Sequence, residues 1–154
     1  MNYAERLEQE ISLWPHVSIH SHCFGGREFR FGKAEVGHVH RGGTVDIPFT
    51  RSIRDALLEE GLAEEHRWAP ESGWITFRIR NDKDFDHAIW LVKLSYLRYA
   101  VKVAFDARGF FEQEAQNLQL SPRLRSLLEK FIPAARLGST SLASNLTRPG
   151  SKVS

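Results

Sequence analysis

The sequence predicts an α+β fold, an antiparallel sheet of about five to six strands with helices packed on one face. Three observations predict it. Residues 17–47 alternate apolar and polar side chains between glycine-containing turns, the mark of short strands in a meander. Residues 51–60 and 82–106 instead repeat their apolar side chains every three to four positions, which is the helical period. The segments follow in the order helix, strands, helix, two strands, long helix, so strands and helices are grouped rather than strictly alternated.

The opening helix is expected from about Asn2 to Leu13, where Tyr3, Leu7 and Ile11 recur every four residues and Pro15 closes the run. About four strands follow from Val17 to Ile47. Gly25-Gly26, Gly32-Lys33 and Gly42-Gly43 mark their turns. Phe29 and Phe31 alternate with Glu28 and Arg30, and Val45 and Ile47 with Thr44 and Asp46. A second helix is expected over Arg51–Glu60 with Ile53 and Leu57 inward and Gly61 at its C-terminal cap. Two strands are expected at Leu62–Trp68 and Trp74–Arg80, the latter with Ile75, Phe77 and Ile79 on one face. Asn81 or Asp82 then caps the longest helix. Along it Phe85, Ile89, Val92, Tyr96, Tyr99 and Val103 form one stripe, which Leu91, Leu94 and Leu97 widen. An arc that broad must be covered by the sheet plus another helix or a partner subunit. After Gly109 a short segment carries Phe110 and Phe111, and Ser121-Pro122 opens a last helix with Leu124, Leu127, Leu128 and Phe131 inward. The expected division is a domain over 1–106, a helical appendage over 107–136 and a flexible tail over 137–154.

Composition narrows the function. A chain of 154 residues, 42% of them hydrophobic, can bury a core without staples. No apolar run approaches the roughly 20 residues of a membrane span, so no membrane partner is expected. The acidic N-terminus MNYAERLEQE is unlike a signal peptide, and Cys23 is the sole cysteine; a cytoplasmic protein without disulfides is the expectation. The net charge of +2 divides into −1 over residues 1–103 and +3 over 104–154, with no Lys/Arg-rich run, and nucleic acid is not expected as a partner.

The seven histidines are the residues that suggest chemistry. Four fall in two His-x-His pairs, His20-Ser21-His22 and His38-Val39-His40. In a strand, positions i and i+2 share a face about 6–7 Å apart. Such a pair can chelate a metal, join a base to an orienting group, or lie solvated. Glu35, Asp46 and His66 could complete a site. Strict alternation places Glu35 on the face opposite His38 and His40 unless Gly37 marks a bulge; failing that, Asp46 is the better partner. On the expected strand Trp74–Arg80, Trp74, Thr76, Arg78 and Arg80 share the polar face, where arginine could clamp an anion. No phosphate-cradling glycine motif, nucleophile elbow or His-Glu-x-x-His helix is present.

The run Glu35-Val36-Gly37-His38-Val39-His40, then Asp46, then Gly61-Leu62-Ala63-Glu64-Glu65-His66, resembles the luciferase-like domain family that includes the fungal luciferases. Bacterial members are similar also at His22 with Phe24-Gly25-Gly26, at Glu28-Phe29, Asp46-Ile47-Pro48, Arg54-Asp55, Ser72-Gly73-Trp74 and Leu94-Ser95-Tyr96. The likeness spans about residues 14–98. It implies an oxygenase that needs no cofactor: dioxygen adds to a hydroxylated pyrone, and the peroxide loses carbon dioxide with emission of light. Relative to the fungal enzymes this sequence lacks an N-terminal membrane segment and adds a C-terminal helix and tail, and luminescence is not carried over. On this reading His38 or His40 is the general base, Glu35 or Asp46 orients it, and His22, His66, Trp74 and Arg78 hold a planar small-molecule anion. No metal is assigned.

Two other functions fit the residues. One is a metal-binding enzyme or module built on His22, His38, His40 and His66. The other is a non-catalytic interaction domain, in which the long helix 82–106 and the Phe110-Phe111 segment form a partner surface; the same helix is the candidate contact for a homo-oligomer.

Overall fold

The computed structural model describes residues 1–134, so the tail expected over 137–154 lies outside the described residues. Helix α1 (Tyr3–Ser12) begins where the Asn2 side chain accepts the Glu5 N–H and the Glu5 carboxylate accepts the Asn2 N–H, a reciprocal cap. A four-strand meander follows: β1 (Val17–His22), β2 (Gly26–Phe31), β3 (Ala34–Val39) and β4 (Thr44–Pro48). Helix α2 (Arg51–Glu59) is capped by the Thr50 hydroxyl and ends before Gly61, whose φ of 70° needs a residue without a Cβ. After β5 (Glu64–Glu65) and β6 (Trp74–Arg78) come three helices, α3 (Asp82–Val103), α4 (Ala107–Asn117) and α5 (Pro122–Glu129). The strands form one antiparallel sheet in the order β1-β2-β3-β4-β6-β5.

One face of that sheet is the core. Phe29, Val36, Val39, Val45, Ile47 and Ile75 are fully buried there together with Leu7 and Ile11 of α1, Ile53 and Leu57 of α2, and Leu91 and Leu94 of α3. The broad apolar arc of α3 is covered within the chain, by β3, β4 and β6 on one side and by α1 and α4 on others. The polar residues of the alternating strands consequently line the opposite face, which carries no helix among the described residues and is where the candidate site lies.

The structure differs from the sequence reading in four places. The strand expected over Leu62–Trp68 is paired only at Glu64–Glu65, a short edge strand that leaves His66 free to turn across the sheet. Strand β6 ends at Arg78, because the Arg80 N–H donates to the Asp84 carboxylate at the start of α3. The segment around Phe110 and Phe111 is a regular helix, capped by Asp106, and Phe111 is buried in the core rather than offered to a partner. Val103, expected inward, is 58% exposed where α3 ends. Among the described residues no helix is long and apolar enough to cross a membrane.

Candidate active site on the open face of the sheet

A single row of residues crosses the open face. His20, Glu28, His38, Asp46, Thr76 and Glu64 are directly opposed on β1, β2, β3, β4, β6 and β5. Antiparallel pairing puts directly opposed side chains on one face within about 4.5–5.5 Å at Cβ, so the register alone brings His38, Asp46 and Thr76 together. The Glu35 problem is solved by a bulge. Phe29 pairs with Gly37 and Arg30 with Glu35, which leaves Val36 without a partner. Val36 and Val39 are both fully buried although three residues apart. The extra residue swings Glu35 onto the face of His38, and Gly37 at φ 156° accommodates the turn.

Four donors meet at the Asp46 carboxylate. Thr76 Oγ1 donates to Oδ1 at 2.6 Å, His40 Nε2 to Oδ2 at 2.8 Å and His38 Nε2 to Oδ2 at 3.2 Å. His66 Nε2 stands 3.6 Å from Oδ1. The Trp68 N–H donates to His66 Nδ1, which puts the proton of that ring on Nε2, facing Asp46. His38 Nδ1 in turn donates to Glu35 Oε1 at 2.6 Å. Two ionised carboxylates accept from the two nitrogens of one ring, so His38 is an imidazolium. Burial opposes that charge, but the bonds to Asp46 and Glu35 prevail and raise its pKa to about 9. For Asp46 burial again opposes ionisation, and the donors His38, Thr76 and His40, with His66 close by, hold its carboxyl well below the usual carboxylate range.

The surrounding rings hold this centre in place. His22 stacks on His38 with centroids 3.9 Å apart and planes 18° from parallel, and its Nδ1 lies 3.4 Å from Glu28 Oε1. Although burial disfavours its charge, Glu28 is held below the ordinary range by Arg30 and His22. Trp74 is half-buried, 5.4 Å from the His38 ring and 6.1 Å from that of His66. Arg78 shares the open face, two residues beyond Thr76, but is exposed, and its side chain makes no hydrogen bond or ion pair among the described residues. The structure thus brings Glu35, His38, His40, Asp46 and His66 into one cluster, with His22 and Trp74 against it and Arg78 at its margin. With both nitrogens engaged, His38 is no free base; His40, its side chain 40% exposed, keeps Nδ1 open. Thr76 and Glu28 were not among the expected site residues, since their place in the row depends on strand register.

The His38 assignment predicts a measurable titration. In protein free of bound ions, imidazole NMR should find His38 doubly protonated at pH 7, with a midpoint near pH 9. Because the folded-state pKa is raised, the stability it contributes is fully present below about pH 6.5 and is lost as pH rises through about 9. A midpoint at or below 6.5 would show that the two carboxylates do not hold the ring as described.

Within this face His38 and Asp46 are buried, and His40 is the partly exposed member of the cluster. A groove of about 810 Å³ lies on the helical side, between Lys102–Arg108 and Ile132–Ala134. Among known proteins, residues 33–95 match the family model of the Luciferase domain. No curated protein and no solved structure matches the chain. The matched stretch contains Glu35, His38, His40, Asp46, His66, Trp74 and Arg78, whereas His22 and Glu28 precede it. From β3 to the middle of α3, over the residues that build most of the site, the chain is similar to the luciferase-like family.

Proposed function

We propose that this chain is a small-molecule enzyme that converts an acidic, hydroxypyrone-like heterocycle to its anion and adds dioxygen to it. The observation that carries the reading is the convergence of three imidazoles and a hydroxyl on the single carboxylate of Asp46, with His40 partly exposed at its edge. Direct reaction with dioxygen requires an electron-rich ring, and removal of the hydroxyl proton supplies it. The proton passes to the imidazole–carboxylate centre. Two electrons of the ring anion then form a bond to dioxygen, the carbon is oxidised, and the peroxide oxygen takes up a proton. Preorganised donors at the point where charge develops lower that barrier. Trp74 and His66 flank the place for a planar ring, and the exposed guanidinium of Arg78, unpaired among the described residues, suits an anionic substituent at its edge. Light emission forms no part of this reading.

An oxygen electrode tests it directly. Untagged protein is expected to consume oxygen above the uncatalysed rate with at least one member of a panel of hydroxypyrones, and the His38→Ala/His40→Ala double variant to fall to the blank. Folded wild-type protein inert toward the whole panel, or a double variant as active as wild type, would sink the proposal.

A further inference from the structure

The geometry points to a metal site: we infer that His38 Nε2, His40 Nε2 and Asp46 Oδ2 bind one divalent first-row transition ion, which receives the substrate hydroxyl. The inference rests on the proposed function for its substrate and on this centre's own geometry for its ligands. Each of the three residues offers one ligand atom, and these atoms lie within 4.8 Å of one another. Two donors each about 2.1 Å from an ion sit about 3.0–3.4 Å apart at octahedral to tetrahedral angles. The Nε2–Oδ2 separations of 2.8 and 3.2 Å are close to that spacing.

The surroundings match a metal centre too. Glu35 holds His38 Nδ1, so that Nε2 is the nitrogen aimed at the site, as an outer carboxylate does for a ligating histidine. Thr76 takes Asp46 Oδ1 and leaves Oδ2 to the two imidazoles. His22, stacked on His38 and tied to Glu28, fixes the ring plane. Two imidazoles and a carboxylate without sulfur suit zinc, iron, cobalt or manganese. Three ligands from two adjacent strands leave positions open on the solvent side. There the ion would bind the hydroxyl and stabilise its anion, and because His38, His40 and Asp46 are then ligands the hydroxyl proton would leave to solvent on the open side of the ion.

Cobalt(II) is the probe. Chelator-stripped, untagged protein is expected to bind one equivalent of Co²⁺, read by its visible d–d bands. Binding should weaken at least about 100-fold in His40→Ala and in Asp46→Asn, the scale set by loss of outer-shell partners alone. It should be unchanged in His20→Ala, whose ring is hydrogen-bonded to Ser18 instead. His40 is the partly exposed member of the set, so its variant retains the fold if Asp46→Asn does not. Equal affinity in wild type and His40→Ala overturns the inference. Stripped protein that binds no Co²⁺ yet keeps its oxygen uptake overturns it as well, and leaves the proposed function intact. Stoichiometric Co²⁺ with no oxygen uptake on any hydroxypyrone overturns the proposed function and leaves the metal site.

Discussion

Asp46→Asn is expected to lower kcat/KM for oxygen uptake by about 10³-fold while the chain still folds. The substitution keeps size and shape, and an amide oxygen can still accept from Thr76. What it removes is the charge that His38, His40 and His66 share, and it turns an N–H₂ toward two imidazole N–H groups that need an acceptor. His38 would keep Glu35 as its only anion. A buried donor left without a partner costs roughly 1–3 kcal/mol, enough to lower the melting temperature without unfolding a domain of this size. Circular dichroism and steady-state oxygen uptake on the same sample separate the two effects. Near wild-type turnover in a folded Asp46→Asn protein would remove Asp46 from the centre of the chemistry.

Much of this architecture is legible in the sequence because its signals are local. The glycine turns delimit the meander, and the four-residue spacing of Tyr3, Leu7 and Ile11 marks α1. His38, His40 and Asp46 are legible as candidates from residue type and from the rule that i and i+2 share a strand face. Register is not local. That Glu35 joins them depends on one unpaired residue, Val36, opposite the Phe29/Arg30 step of a different strand. Thr76 enters the site because β6 pairs with β4 at Asp46, a partner 30 residues away that no periodicity specifies. Helix α4 was obscured for a chemical reason. Gly109 reads as a breaker, yet it sits in the first turn because the Asp106 carboxylate folds over its N–H and occupies the space a Cβ would need. The edge strand β5 is shorter than its apolar and polar pattern predicts, because only Glu64 and Glu65 pair with β6.

The largest loss of stability is expected from Gly73→Ala. Gly73 links the loop after His66 to β6, and its carbonyl accepts the Phe49 N–H at 3.0 Å. A Cβ at this position would fall on the Phe49 carbonyl, with the Phe49 carbonyl carbon only 2.7 Å away. Those atoms are backbone, anchored to β4 on one side and to the Thr50 cap of α2 on the other, so no side chain can swing aside. Overpacking of this kind costs about 3 kcal/mol at the upper end of its usual range, or roughly 10 °C in melting temperature for a chain of this length. Gly61→Ala is the control. Its φ of 70° is also unfavourable for alanine, but nothing lies within 4 Å of the new methyl group, and about 1 kcal/mol is expected. Equal melting temperatures for the two variants would show that the β4–β6 junction can relax. If it cannot, Gly73→Ala should cost activity as well as stability, because Trp74, the next residue, is the ring set against His38 and His66. The glycine is then required for a close approach of two backbones, and the position of the Trp74 ring against His38 and His66 follows from that approach.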